Sequence, residues 1–295
     1  MPLTNRLNVA VLGAGLIGID LLDKIHRSPS LDCRLVVGRN TQTVGLTRAA
    51  EMGYPTTAGG IAALMESDTA FDMVFDASNA DSHAEHWRHL EPTGATLVDL
   101  TPSNLGTLTV PTVNGADALT EHHISLISCG GQAAIPVLHA IAQHRTPHYV
   151  EVVSTGASRS AGRATRLNLD EYIATTRDAV CVFTGTPRAK VLVNITPATP
   201  PPPFRVTMTA LAADIDLYTV HHLIAAAVDR VQAYLPGYSV ARIEASPERV
   251  TATVEVIAPG HRLPAYAGNL EIINAAAIYL ARMHADAQVS EGARP

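Results

Sequence analysis

The chain has 295 residues, enough for two packed cores, and its 47% hydrophobic and 16% charged composition excludes a disordered chain. A formal charge of −6, with no lysine- or arginine-rich cluster, gives no electrostatic ground for a nucleic-acid partner. There is no apolar run of about 18 residues to span a bilayer and no signal-peptide pattern near Met1, so a cytoplasmic protein with no membrane partner is expected.

In chain order, Asn8–Leu12 reads as a buried strand, and Leu16–His26 as a helix with apolar residues at Ile17, Leu21, Leu22 and Ile25. Further strands are expected at Arg34–Val37, Met73–Phe75, Thr96–Leu100 and Ile124–Ile127. Helices are expected near Thr43–Met52, Ile61–Met65 and Asp81–Leu90. This alternation predicts a doubly wound parallel α/β sheet of the Rossmann kind, covering residues 1–128. Beyond residue 147 the rhythm changes, with strands at Tyr149–Ser154, Lys190–Ile195, Arg205–Leu211, Tyr238–Glu244 and Arg249–Ile257. Helices near Asn168–Val180 and Tyr218–Ala233 separate some of them, and the link Ala245–Glu248 suggests an antiparallel hairpin. An α+β domain with a mainly antiparallel sheet is therefore expected over 129–267. A last helix, Asn269–Met283, would return to the first domain, which 268–295 would complete.

Gly13-Ala14-Gly15-Leu16-Ile17-Gly18 fits G-x-G-x-x-G between the first strand and the first helix. Glycine there permits a tight turn, close approach of backbone to pyrophosphate and close helix–strand packing, while the helix N-terminus offers N–H groups to phosphate. The bland alternative is a structural glycine turn. After the second strand, Gly38-Arg39-Asn40 carries no carboxylate for a ribose hydroxyl, and Arg39 suits either a phosphate or solvent. On the residues alone, NAD and NADP both stay open.

The three cysteines are too few and too widely spaced for a disulfide framework or a zinc motif. Cys33 and Cys181 read as packing residues. Cys129 lies between an apolar strand and Gly130-Gly131-Gln132, with a helix expected over Ala133–Gln143. A thiol there faces the positive end of a helix, which favours thiolate, and the two glycines leave N–H groups for an oxyanion. An inert buried cysteine is the alternative. Among 13 histidines, His261 is the best placed as a base. His83, His86 and His89 share a spacing that suits a metal, but solvated helix histidines are commoner and no metal is expected. Asp99 and Thr101 end a sheet strand where ligands gather or turns are capped, and Tyr266 reads as a nicotinamide wall or as packing.

Five segments in order resemble the acylating, CoA-dependent acetaldehyde dehydrogenases over nearly the whole chain. They are Val9–Gly18, Val98–Pro102, Ser128–Pro136, Ser160–Asn168 and Leu263–Leu270. The resemblance implies that Cys129 forms a thioacyl intermediate. It also implies that the dinucleotide, NAD in that family, is contacted by Ala14–Ile17, by Ser160, Ala161, Gly162, Arg163, Ala164, Thr165, Arg166, Leu167 and Asn168, and by Asn269. It implies CoA as co-substrate, a homodimer, and an aldolase partner of the 4-hydroxy-2-oxovalerate type. There are departures as well. Val206 stands after Arg205 where the family usually has an aspartate, Arg163-Ala164 replaces a Pro-Gly, and the segment from Tyr238 to His261 is shorter. The lost charge and the rewritten Pro200–Phe204 stretch suggest a divergent paralogue for a larger or aromatic acyl group, such as picolinoyl. A phosphorylating semialdehyde dehydrogenase and a non-catalytic dinucleotide-binding protein are the rival readings.

Overall fold

A computed structural model describes residues 6–292. Its chain divides into two compact units: residues up to Leu126 together with those from Asn274 onward, and Ile127–Ile273.

The first unit alternates strands and helices: β1 (Leu7–Leu12), α1 (Leu16–His26), β2 (Leu31–Gly38), α2 (Val44–Glu51), β3 (Thr56–Ala58), α3 (Gly60–Met65), β4 (Met73–Asp76), α4 (Ala80–Leu90), β5 (Thr96–Asp99), β6 (Thr107–Leu108), α5 (Pro111–Asn114) and β7 (His123–Ser125). The strands form one seven-stranded sheet in the order β3-β2-β1-β4-β5-β7-β6, with every pair parallel. β1, β4 and β5 are almost wholly buried, as befits strands covered on both faces. The order reverses between β1 and β4, and in open parallel sheets ligands bind at the carboxyl ends of the strands beside such a switch. β3, β6 and α5 had no counterpart in the sequence reading.

The second unit opens with α6 (Cys129–His144) and continues with β8 (Tyr149–Ala157), α7 (Arg163–Leu167), α8 (Leu169–Thr184), β9 (Ala189–Thr196), β10 (Phe204–Leu211), α9 (Leu217–Gln232), β11 (Tyr238–Ser246) and β12 (Arg249–Val256). The last helix, α10 (Gly268–Gly292), begins in this unit and supplies the first with its residues from Asn274. The five-stranded sheet runs β11-β12-β10-β8-β9. Three of its pairs are antiparallel, including the β11–β12 hairpin, and β8 pairs with β9 in parallel through the α8 crossover. The helices α6, α8 and α9 pack on the sheet. Alternation along β10 and β12 buries Val206, Met208, Ala210, Val250, Ala252 and Val254, and leaves a second face of half-buried threonines. Cross-strand bonds join Thr207 to Thr253 and Thr209 to Thr251 on that face. Tyr238, fully buried, donates its hydroxyl to the Ala133 carbonyl at 2.7 Å and ties β11 to α6.

Candidate active site

The helix α6 begins at Cys129 itself, not at Ala133 as the two glycines suggested. The cap explains this. Ser128 takes the N-cap position, and its Oγ accepts from the Gly131 N–H at 2.9 Å while bonding Thr176 Oγ1 at 2.6 Å. Ile127, just before the cap, is held at φ 66, a left-handed conformation that β-branched residues rarely adopt. Strain of this kind persists only where the surroundings fix it, and it commonly marks functional sites.

The thiol of Cys129 is half-buried, and its side-chain partner is the Tyr172 hydroxyl on α8, at 3.4 Å from Sγ. The same Tyr172 oxygen accepts the Gly130 N–H at 2.8 Å and lies 3.4 Å from Ser154 Oγ on β8. Gly130 is required by packing, since a Cβ there would stand 2.3 Å from Ser154 Oγ and 2.4 Å from the Tyr172 oxygen.

These contacts correct two expectations. The N–H groups of Gly130 and Gly131 are not left free, because Tyr172 and Ser128 take them. The thiol is not shifted toward thiolate either. Burial pushes Cys129 above the ordinary cysteine value, and it outweighs the opposing pull of the Tyr172 hydroxyl and of the Gly130 and Cys129 backbone. His261 is exposed and makes no hydrogen bond to the sulfur, and Tyr266 is half-buried in the loop before α10. Val206 is fully buried opposite Ser154 in the β10–β8 register, so its side chain shares the face from which Ser154 meets Tyr172. Tyr172 was missed by the sequence reading, which placed it only within the helix expected near Asn168–Val180.

The loop before α8 gathers other expected residues. Ser160 is buried, with its Oγ donating to the Ala157 carbonyl. Asn269 Nδ2 donates to the Ser160 carbonyl at 3.1 Å, while the Asn269 Oδ1, also buried, has no partner in the structure. Arg166 folds back, with Nε on the Ala161 carbonyl and Nη2 on the Ser158 carbonyl and hydroxyl. It therefore serves the loop itself. Gly162 and Thr165 are half-buried, Leu167 is exposed and Asn168 is buried at the start of α8. Arg163 and Ala164 fall in α7, and their side chains lie outside the described residues.

In the first unit, Gly13 is left-handed at φ 101, and a Cβ there would stand 2.5 Å from the Ala77 carbonyl oxygen. Gly15 caps α1 with no side-chain bond and nothing within 4 Å of a Cβ, while Ala14 is buried, Leu16 exposed and Ile17 half-buried. Gly18 packs against the Gly13 carbonyl. An uncapped helix start beside open space fits a pyrophosphate. An orphaned Asn269 oxygen fits a group that carries an N–H, as a carboxamide does. Arg39 is exposed just past the end of β2.

A separate polar cluster fills the same unit. His83 Nδ1 and His86 Nδ1 both donate to Asp76 Oδ2 at 2.7 Å, and Ser78 donates to the other Asp76 oxygen. His83 Nε2 lies 2.8 Å from His123 Nε2, and His123 stacks on Trp87 with ring centroids 4.3 Å apart. Asp99 stands 3.5 Å from His83 and accepts from Thr101 N–H and Ser103 Oγ, so its duty and that of Thr101 include a turn. Burial opposes charge on His83, but its bond to Asp76 and the Asp99 and Asp76 charges outweigh that and raise it. Burial and the His83 charge push His123 down to about 4. The close Nε2–Nε2 contact thus joins a His83 held toward its charged form to a His123 held toward its neutral one. Burial would raise Asp76, yet the two histidine bonds hold it well below the carboxylate range, while burial lifts Asp99 to about 6. Asp76, His83 and His86 converge as metal ligands do, and His89 is exposed and apart from them. Yet a tetrahedral zinc site separates its ligand atoms by roughly 3.3 Å, and the 2.7 Å contacts here are hydrogen-bond lengths.

The fold and these two regions define a two-unit dehydrogenase architecture, with a parallel dinucleotide-type sheet in one unit and, in the other, a mixed sheet and a cysteine at a capped helix start. Comparison with known proteins narrows the class. The family described as prokaryotic acetaldehyde dehydrogenase, dimerisation, matches residues 129–264. An acetaldehyde dehydrogenase of Streptomyces griseus is 49% identical over 94% of this chain and 90% of its own length. One from Pectobacterium atrosepticum is 41% identical over 95% and 96%. The chain belongs to the acetaldehyde dehydrogenase family, which implies a nicotinamide dinucleotide cofactor. Among solved structures, aspartate semialdehyde dehydrogenase II of Vibrio cholerae, complexed with ASA, shares the fold. Its TM-score is 0.65 at 15% identity, over 94% of this chain and 99% of that one.

Proposed function

We propose that the protein interconverts an acyl-CoA and an aldehyde through a thioacyl intermediate on Cys129, with acetyl-CoA and acetaldehyde as the pair and NAD as the dinucleotide. The observation that carries this reading is the position of the thiol, at the first residue of a capped helix and in contact with a hydroxyl. Ionised, Cys129 attacks the thioester carbonyl and expels CoA thiolate, leaving the acyl group on Sγ. A nicotinamide dinucleotide, when bound, would supply the hydride that reduces the acyl carbon, and would take it back in the reverse direction. The resulting thiohemiacetal collapses to aldehyde and returns the sulfur. Covalent capture divides one difficult step into two, and the roles reverse when aldehyde is oxidised. The α1 start would hold pyrophosphate.

An NADH-oxidation screen across acyl-CoA thioesters, with Cys129→Ala as control, tests this reading. Turnover that Cys129→Ala abolishes supports it, and turnover requiring inorganic phosphate in place of CoA contradicts it. One observation favours a bulkier acyl group, the uncharged Val206 opposite Ser154. A preference for an aromatic thioester over acetyl-CoA in the same screen would support that variant.

The threonine face of the second sheet is the surface we assign to a homodimer, in keeping with the dimerisation family it matches. Light scattering of purified protein checks it. An aldolase partner rests on resemblance, and co-purification would test it. No described helix is long and apolar enough to cross a membrane. The cytoplasm is the compartment we assign, because all three cysteines are free.

A further inference from the structure

We propose that Tyr172 is a catalytic residue of this site, whose hydroxyl donates to the ionised Cys129 sulfur, holds the nucleophile in its reactive form, and turns back to Ser154 once the sulfur is acylated. This rests on the reading that Cys129 is the nucleophile.

The hydroxyl has one proton to give. Its oxygen already accepts the Gly130 N–H at 2.8 Å, and two acceptors stand at equal distance from it, Cys129 Sγ and Ser154 Oγ, both at 3.4 Å. A neutral thiol is a weak acceptor, so in the resting state neither direction dominates. When the thiol loses its proton to solvent, the sulfur becomes a charged acceptor and the hydroxyl commits to it, since bonds to an ionised partner are roughly twice as strong. Acylation removes that charge, and the proton swings to Ser154. The tyrosine itself gives up no proton at any stage. Burial, more than any neighbour, raises its phenol well above the ordinary value, so it remains a donor at every working pH.

The surroundings leave this duty to Tyr172. Among the described residues no histidine or carboxylate bonds the sulfur, and Ser154 faces Val206 across the sheet. Apart from Tyr172, only the backbone at Cys129 and Gly130 favours the thiolate. The phenol cannot drift away, because its ring is buried on α8 and the bare Gly130 admits its oxygen.

The test is a thiol titration, followed as the iodoacetamide rate at Cys129 against pH and located by peptide mass spectrometry. Tyr172→Phe keeps the ring and removes the donor. Its half-point is expected about one pH unit higher, a roughly tenfold slower reaction at pH 8 with the high-pH plateau unchanged. Replacing Tyr172 with 3,5-difluorotyrosine gives a more acidic, stronger donor and is expected to move the half-point down. It also decides the matter if Tyr172→Phe does not fold. A hydroxyl that merely props the helix start would lower the melting temperature of the Phe variant and leave both half-points at the wild-type value, which would overturn the proposal. The titration needs no substrate. If Cys129→Ala kept full turnover, the nucleophile reading would fall while the titration result stood; unmoved half-points beside a dead Cys129→Ala would remove Tyr172 alone.

Discussion

Two buried polar groups, one in each unit, handle burial in opposite ways. Around Asp76 the members are titratable and closed on one another: a carboxylate takes bonds from two histidines and a serine, and one of those histidines bonds a third. Around Cys129 the members are neutral, and the one hydroxyl proton between Tyr172, Cys129 and Ser154 has two places to go. Charge inside a low-dielectric core is tolerable only when fully paired, so the first group is fixed. A neutral group tolerates rearrangement, so the second can respond when its sulfur gains charge. The difference teaches that the more conspicuous titratable cluster is the structural one.

Removing a member of each group should break or sharpen that contrast. Cys129→Ala should lower kcat in the NADH assay by about a thousandfold or more, with the melting temperature little changed. Asp76→Asn should cost about 3–5 kcal/mol in urea unfolding, because it removes the buried carboxylate that His83 and His86 both bond. Tyr238→Phe, which orphans the Ala133 carbonyl without touching either group, should cost about 1–3 kcal/mol and leave thiol reactivity alone.

The pH responses differ too. His83 is raised in the folded state, so its contribution is complete below about 6.5 and is lost as pH climbs through the folded value. His123 is depressed to about 4, so its contribution is complete above about 6.5 and is lost as pH falls toward 4. Asp99, raised to about 6, takes up a proton in the folded state first and offsets part of the acid-side loss. Unfolding free energy measured against pH should thus decline above about 6.5, and Asp76→Asn should flatten that decline. Alkylation of Cys129 should instead keep rising with pH beyond the ordinary thiol value near 9.

Much of the first unit was legible in the sequence because buried parallel strands and amphipathic helices have distinct periods. Leu16–His26 matches its helix end to end. The short β3 and β6 carry too few residues to show a period. The start of α6 was hidden for another reason: glycine is a poor helix former, and only the Ser128 cap and the closeness of Ser154 and Tyr172 explain Gly130 and Gly131 inside the first turn. Cys129 was found from local context. Its partner was not, because Tyr172 is joined to it by tertiary packing alone. Likewise His83, His86 and His89 were seen together at a spacing that suits a metal, and the Asp76 that unites the first two was not, since it ends a strand and looks like any strand terminus.

The most direct test of the central claim is acyl trapping. Protein mixed with acetyl-CoA in the absence of dinucleotide, then quenched in acid and digested, should carry an acetyl group on the peptide that contains Cys129 and on neither the Cys33 nor the Cys181 peptide. Acyl label absent from Cys129, or spread equally over the three cysteines, would contradict the account.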